Sequence, residues 1–380
     1  MKPLLLLALI VLLVSAFSLP KAYVYYRIQS TASGEDVYFG VTFGSNSTDE
    51  AKFLIDKVKE YTNLFIVDSW PISTNETALN EVCNYAVGAN LSLIVFFDFI
   101  SYRGYPWLHE WLDTARERWG SKFLGIYLYD EPGGRQIDKR QWDEGTSLKK
   151  LFANVSDYSD VANKFVTSIP SSFSMQNVKN SSLPVFTSDY ALFWFDYLAG
   201  YDTVFTELGW NHSDVQQIAL ARGAAKVQGK QWGAIITWTF QNPPYLASGK
   251  EILQDMMTAY RAGAQYVIVF NHPTINPYGV LTEEHFNAMR AFWTHIHNFP
   301  RSVFGQINGQ VAFVLPKDYG WGMRNPEDKI WGIWPSDDLA PVIWDKMTSL
   351  INRYGLNIDI VYDDPQFDLA QKYSVIYFWK

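Results

Sequence analysis

The chain has 380 residues, a net charge of −8, 48% hydrophobic and 18% charged residues. This apolar content excludes a disordered polypeptide, and the acidic balance argues against nucleic acid or an anionic membrane surface as a partner. The length suits one barrel of roughly 200–250 residues with a further element beyond it. Aromatic residues reach 17%, with 15 Trp and 23 Tyr. Trp and Tyr rings are platforms for the apolar C–H faces of sugars, so the excess leans toward carbohydrate.

Residues 1–20, MKPLLLLALIVLLVSAFSLP, read as a signal peptide or an N-terminal membrane anchor. Lys2 is a minimal charged n-region, Leu4 to Phe17 is apolar, and Val14-Ser15-Ala16 resembles a small-residue cleavage site. The apolar run is short for a spanning helix, which needs about 20 residues. Export to the outside or the cell surface is therefore expected, with uncleaved anchorage as the alternative. Six N-x-S/T sequons, at Asn46, Asn75, Asn90, Asn154, Asn180 and Asn211, fit an exported glycoprotein. The single Cys83 rules out an intrachain disulfide and reads as a buried small hydrophobe.

Residues 34–300 carry eight short apolar runs separated by helix-like segments. They are Val37–Gly44, Leu64–Trp70, Leu91–Phe99, Phe123–Glu131, Val185–Tyr190, Thr203–Trp210, Trp232–Phe240 and Gln265–His272. Continuous apolar strands alternating with helices mean a parallel sheet covered on both faces, and eight of them predict an α/β fold, a (β/α)₈ TIM barrel. Helices are predicted over Asp49–Tyr61, with an acidic first turn, over Gly249–Gly263, with Ile252, Leu253, Met256 and Met257 on one face, and after Thr282, which can cap it ahead of Glu283 and Glu284. Residues 301–380 predict a small, separate Rossmann-like α/β domain: strands Val311–Leu315, Ile358–Tyr362 and Val375–Trp379, and a helix Pro341–Tyr354. Its last strand reads as a truncated domain or an edge strand that a partner completes.

In a barrel of this kind function sits at the C-terminal strand ends. Those ends carry Asp68 and Trp70, Asp98, Asp130 and Glu131, Asp189 and Tyr190, Glu207 and Trp210, Trp238, and Asn271 with His272. An ionised carboxylate leaving water costs several kcal/mol unless paired, so buried strands seldom end in acids without a use for them. Paired carboxylates flanking a bond are what glycoside hydrolysis needs. Glu131 is the candidate general acid, with Tyr127 and Tyr129 to desolvate it and Asp130 to raise its pKa by repulsion. Glu207 is its candidate partner.

The motif Tyr127-Leu128-Tyr129-Asp130-Glu131-Pro132-Gly133-Gly134 resembles the TIM-barrel glycoside hydrolase superfamily, in which an acid/base Glu commonly ends strand four. The resemblance assigns that role to Glu131. Asp130 takes the position that Asn holds in the large retaining clan, whose nucleophile ends strand seven, whereas here strand seven ends Thr237-Trp238-Thr239-Phe240 without an acid. The adjacent Asp-Glu pair also resembles the substrate-assisted hexosaminidases, where the Asp orients an N-acetamido group. The C-terminal segment resembles the amidotransferase-like layer that follows the barrel in some β-galactosidases. Together these imply an exported enzyme acting on an oligo- or polysaccharide, with Trp70, Trp210, Trp238, Tyr190, Asp68, Asp98, Asp189, Asn271 and His272 as substrate-binding candidates.

Other readings are weaker. A non-catalytic carbohydrate-binding or structural surface glycoprotein would need no Glu131–Glu207 pair. A metal held by Asp68, Asp98 and Asp130 lacks supporting histidines, which leaves an all-carboxylate Mg²⁺ or Ca²⁺ site as the alternative, and His295-x-His297 places its rings on different helix faces. Gly223–Gly229 follows a helix and so is no phosphate loop. The sequence therefore implies no metal and no cofactor, and nothing in it specifies an oligomeric state.

Overall fold

The eight apolar runs fold as strands because each can be buried on both faces. In the computed structural model, which describes residues 37–97, 106–138 and 154–380, they are β1 (Tyr38–Phe43), β2 (Leu64–Val67), β3 (Ser92–Phe97), β4 (Phe123–Leu128), β5 (Val185–Asp189), β6 (Thr203–Leu208), β7 (Gln231–Ile236) and β8 (Tyr266–Val269). Every neighbouring pair is parallel, and the ring closes where Tyr38 faces Tyr266 and Val41 faces Val269. The chain is a TIM barrel. Strand periodicity then splits each run in two. Leu64, Ile66, Ile94, Tyr127, Phe186, Phe205, Ile235, Tyr266 and Ile268 fill the interior, while Phe65, Val67, Leu93 and Val95 join the larger core under the helices.

Around the barrel lie α1 (Thr48–Val58), α2 (Trp70–Ser73), α3 (Glu76–Gly88), α4 (Leu108–Trp119), α5 (Pro132–Asp138), α6 (Tyr158–Ser171), α7 (Phe173–Asn180), α8 (Phe193–Leu198), α9 (Asp214–Gln228), α10 (Gly249–Arg261), α11 (Glu283–Asn298) and α12 (Arg301–Phe304). The start signals act as their chemistry requires. Ser47 accepts the Glu50 N–H ahead of α1, and Ser248 with Glu251 forms a capping box on α10. Thr282 is boxed on α11 by His285 rather than by an acid. The predicted helix over Asp49–Tyr61 stops earlier, at Val58, because Lys59 caps it and the Tyr61 N–H turns back to the Val58 carbonyl. Cys83 is buried in α3, and that burial pushes its thiol pKa up. His297 and His295 pack on Trp293 and Phe299, at 4.2 and 4.9 Å between ring centroids. Among the described residues no helix is long and apolar enough to cross a membrane.

After the barrel, β9 (Val311–Leu315), α13 (Leu339–Tyr354), β10 (Ile358–Tyr362) and β11 (Val375–Phe378) form a parallel three-stranded sheet in the order β10-β9-β11. This layer docks on α9. Gly223 lets the backbones meet, since a Cβ there would lie 2.6 Å from the Ile360 carbonyl oxygen. Beside it the Arg222 guanidinium, 5% exposed, pairs at 2.7 Å with Asp359, which is fully buried. The same guanidinium donates to the carbonyls of Ile307, Leu356 and Ile358 at 3.0, 2.6 and 3.0 Å. One side chain thus satisfies the end of the sheet and anchors it to the barrel.

Removing Arg222 leaves the buried Asp359 charge with only the more distant Lys226, at 3.9 Å, to compensate it. Arg222→Leu should therefore cost about 3–5 kcal/mol in chemical denaturation. The double variant Arg222→Leu/Asp359→Leu should lose less than Arg222→Leu alone. A double variant that is worse than the single one would show that carbonyl capping, not charge pairing, is what Arg222 provides.

Candidate active site

The acid-rich end of the barrel is built around the turn from β4 into α5. Tyr129 and Glu131 both have left-handed backbones, at φ 58° and 52°, a conformation that costs a non-glycine residue about 1 kcal/mol or more. Neighbouring strand β5 holds this corner in place. The Glu131 N–H donates to the Ser188 carbonyl at 3.1 Å, and the Thr187 hydroxyl donates to the Tyr129 carbonyl at 2.5 Å. Four backbone N–H groups then converge on the Asp189 carboxylate. They belong to Gly133 (2.6 Å), Gly134 (2.7 Å), Tyr190 (2.8 Å) and Ala191 (3.1 Å). A Cβ on Gly133 would lie 2.5 Å from the Ala191 carbonyl, and one on Gly134 would fall inside the Tyr190 ring.

Asp189 is therefore a scaffold residue: it is fully buried, and its oxygens are occupied by backbone. The same correction applies to Asn271, which is 4% exposed and whose side-chain oxygen accepts the Val280 N–H at 2.8 Å, bracing the loop after β8. Tyr190 is 6% exposed. Its hydroxyl donates to Asp138 at 2.7 Å, and Arg324 lies 5.6 Å over its ring. Arg324 also pairs with Asp138 at 2.8 Å, and Gln136 donates to the Trp331 carbonyl at 2.8 Å. The loop between β9 and α13 thus grips α5 directly behind the acids. Asp98 lies outside the described residues.

Asp130, Glu131 and Glu207 come together at the mouth. Arg135, one turn into α5, lies 3.2 Å from Asp130 and 3.7 Å from Glu131. The Tyr127 hydroxyl lies 2.6 Å from Asp130 and 2.8 Å from the Ser188 hydroxyl. Ser188 in turn lies 3.3 Å from Asp130 and 3.0 Å from Glu207. Asp68 completes the cluster: after burial, the charges of Asp130 and Asp68 are what push the Tyr127 pKa up. Glu207 has surroundings of the kind expected of Glu131. Glu207 is 4% exposed, and burial first, then the charges of Glu131, Asp130 and Asp189, drive its pKa well above the carboxylate range. Tyr127 serves Asp130 rather than desolvating Glu131, and Glu131 has Arg135 at its side.

Next to Glu207 stands an aromatic wall. Trp238 is 5.7 Å from Trp210, 5.0 Å from Tyr245, 5.8 Å from Phe270 and 6.4 Å from His272 between ring centroids. Its indole N–H donates to the His272 carbonyl at 2.7 Å, which fixes the ring. Trp70, 57% exposed, stands at the start of α2. Sequence reasoning missed Ser188, Arg135, Tyr245 and Phe270. Of these only Arg135 carried a signal, its i,i+4 spacing from Glu131 at a helix start. Among the described residues no group of three or more His, Cys, Asp or Glu is placed to hold a metal ion.

No family model and no curated protein matches the chain. Among solved structures, it resembles the glycoside hydrolase GH5_18 from Streptomyces cattleya, crystallised with GlcNAc. The TM-score is 0.55 at 13% identity, over 90% of this chain and 98% of that one. Lower scores relate it to pneumococcal StrH (TM-score 0.41, 9% identity, 69% and 84% of the two chains) and to a truncated 3-deoxy-D-arabino-heptulosonate 7-phosphate synthase from Thermotoga maritima (0.40, 8%, 72% and 89%). At 13% identity the likeness to the GH5_18 structure establishes the barrel fold alone.

A raised carboxyl pKa ties stability to pH with a definite sign. An unfolded Glu titrates near 4.3. Above that value folded Glu207 keeps a proton that the unfolded chain has lost, so stability falls as pH climbs toward its folded pKa. Asp189, pushed by burial up to about 7, acts in the same sense. Glu207→Gln should retain the fold at neutral pH and flatten the decline measured above the unfolded pKa of about 4.3, by up to about 1.4 kcal/mol per pH unit. An unchanged slope in thermal or urea unfolding would mean that Glu207 is ionised.

Proposed function

We propose that this protein is an exported glycoside hydrolase that cleaves a glycosidic bond held over Asp130 and Glu131 at the barrel mouth. One observation carries the reading: three carboxyls meet at one strand-end cluster in unlike surroundings. Glu207 is buried and kept neutral, whereas Asp130 and Glu131 face Arg135, with side chains 35% and 18% exposed. Glycoside hydrolysis needs that division, a proton for the leaving oxygen and a carboxylate for the developing positive charge. In this reading Glu207 stores the proton, and Glu131 is the carboxylate that meets the sugar. The ring wall of Trp210, Trp238 and Tyr245 supplies the stacking surface. The barrel shared with GH5_18 is consistent with this chemistry, although many unrelated activities use the same fold.

Export rests on the leader and the sequons. All six sequon asparagines lie in the described residues, and all six are exposed, as glycan attachment requires. Mass spectrometry of the native protein should find a mature terminus after residue 16 and glycans at several of the six sites. Unmodified sequons together with an intact Met1 would count against export.

The catalytic assignment makes separate demands on the two glutamates. Glu131→Gln should lower turnover roughly 10²–10⁴-fold on all glycosides, whatever their leaving group. Glu207→Gln should impair substrates with poor leaving groups by a similar factor and spare those with activated ones, which need little protonation. If a sugar-hydrolysing preparation loses nothing on Glu131→Gln, Glu131 is not catalytic, and glycan binding without turnover by the unaltered protein would mean that the barrel binds sugar without cleaving it.

A further inference from the structure

Glu207 is 4% exposed, so its proton needs a route to the cleft. The hydrogen bonds beside it supply one. From Glu207 to the Ser188 hydroxyl is 3.0 Å, from Ser188 to the Tyr127 hydroxyl 2.8 Å, and from Tyr127 to Asp130 2.6 Å. Oxygens this close repel unless a hydrogen lies between them. Three contacts therefore need three hydrogens, and the two hydroxyls bring one each. The third must sit on a carboxyl at one end of the chain.

Along this path two arrangements satisfy the count, and the longer 3.3 Å contact from Ser188 to Asp130 offers a direct hand-over between the same ends. In one, Glu207 donates to Ser188, Ser188 to Tyr127 and Tyr127 to an ionised Asp130. In the other every bond is reversed, and the proton rests on Asp130. Arg135 at 3.2 Å from the outer oxygen of Asp130 favours the first at rest, as does the burial of Glu207. Glu131, Asp189 and Asp68 are the other charged groups acting on the chain, and all three are acids. Interior Tyr127 is buried between strands and Ser188 is 3% exposed, so water does not replace either hydroxyl.

We propose that Glu207, Ser188, Tyr127 and Asp130 form a proton wire that carries one shared proton from the buried glutamate to the cleft. The step balances without any co-reactant. The Glu207 O–H bond breaks as Ser188 gains that proton, Ser188 passes its own to Tyr127, and Tyr127 passes its own to Asp130. Glu207 ends as carboxylate and Asp130 as carboxylic acid, ready to protonate a leaving oxygen. Ser188 and Tyr127 are positioning residues, since they act through Asp130. The proposal rests on the hydrolase reading for its purpose but not for its existence.

Infrared spectroscopy of the full chain tests the wire without any substrate. At neutral pH the wild-type minus Glu207→Gln difference spectrum should contain the C=O stretch of a protonated carboxyl. Ser188→Ala should shift that same component, because it removes the acceptor of the Glu207 proton. In kinetics Ser188→Ala should lower kcat about tenfold or more on poor leaving groups, leave KM unchanged and spare activated substrates. Ser188→Thr, which restores a hydroxyl, should recover most of the loss. Tyr127→Phe removes the shorter path but leaves the 3.3 Å contact from Ser188 to Asp130, so it should lose no more than Ser188→Ala, and the double variant should lose no more than Ser188→Ala alone. A difference spectrum with no protonated-carboxyl band overturns the proposal, as does an equal loss on both substrate types. If no glycoside is turned over, the hydrolase reading falls while the infrared result still decides the wire.

Discussion

Four backbone N–H groups meeting one buried carboxylate, that of Asp189, set the position of everything that follows strand β4. Two of the donors, Gly133 and Gly134, begin α5, and two, Tyr190 and Ala191, begin the loop after β5. The carboxylate therefore clamps two successive strand-to-helix turns to each other. With α5 held there, Tyr129 and Glu131 must take left-handed backbones to connect it to the strand. Their strain is offset by bonds that would not otherwise be made. Asp130, Glu131 and Arg135 are all placed by this single clamp.

The layer after the barrel holds the other side of the same helix. Arg222 and Asp359 fix the sheet to α9, and the loop between β9 and α13 carries Arg324 and Trp331 onto α5. Asp138, at the end of α5, takes a hydrogen bond from Tyr190 and an ion pair from Arg324. A short helix that would be marginal by itself is thus gripped at its start by the barrel and at its end by the layer. Preorganisation of this kind is what a carboxyl cluster needs, because a small displacement changes both its Coulomb terms and its hydrogen bonds.

Several acids in this fold are kept neutral by burial, at a cost in stability that rises with pH. Glu207 is one. Asp196, fully buried with the charge of Asp189 beside it, is another. Asp255, next to Asp214 between α9 and α10, is pushed up to about 8, first by burial and then by Asp214. Of these three, among the described residues, Glu207 alone connects through hydroxyls to a group facing the cleft. The distinction between a stored proton and a usable one lies in that connection.

Much of the barrel could be read from the chain, because eight apolar runs of strand length can be buried only as a covered parallel sheet. Their ends were read too long at Glu131, Trp210 and Trp238. Those residues continue an apolar pattern but turn out over the rim, where Trp210 donates its N–H to the Trp238 carbonyl at 2.6 Å. The acids at the strand ends were also legible, since a carboxyl leaving water needs a partner or a use. Their division of labour was not. Asp189 and Glu207 both end apolar strands, yet one is surrounded by backbone N–H groups and the other by carboxylates and a single hydroxyl. Gly223 shows the same limit: within its helix it has no evident purpose, and its reason is a strand 137 residues further on.

The sequence by itself determined which residues are apolar, how they repeat and where the carboxyls fall, because periodicity and composition are local properties of the chain. Only the tertiary structure decided which carboxyl holds a proton. Desolvation and Coulomb energy depend on distance through space. The neighbours that matter here, Ser188 for Asp130 and Asp189 for Gly133, are 58 and 56 residues away along the chain.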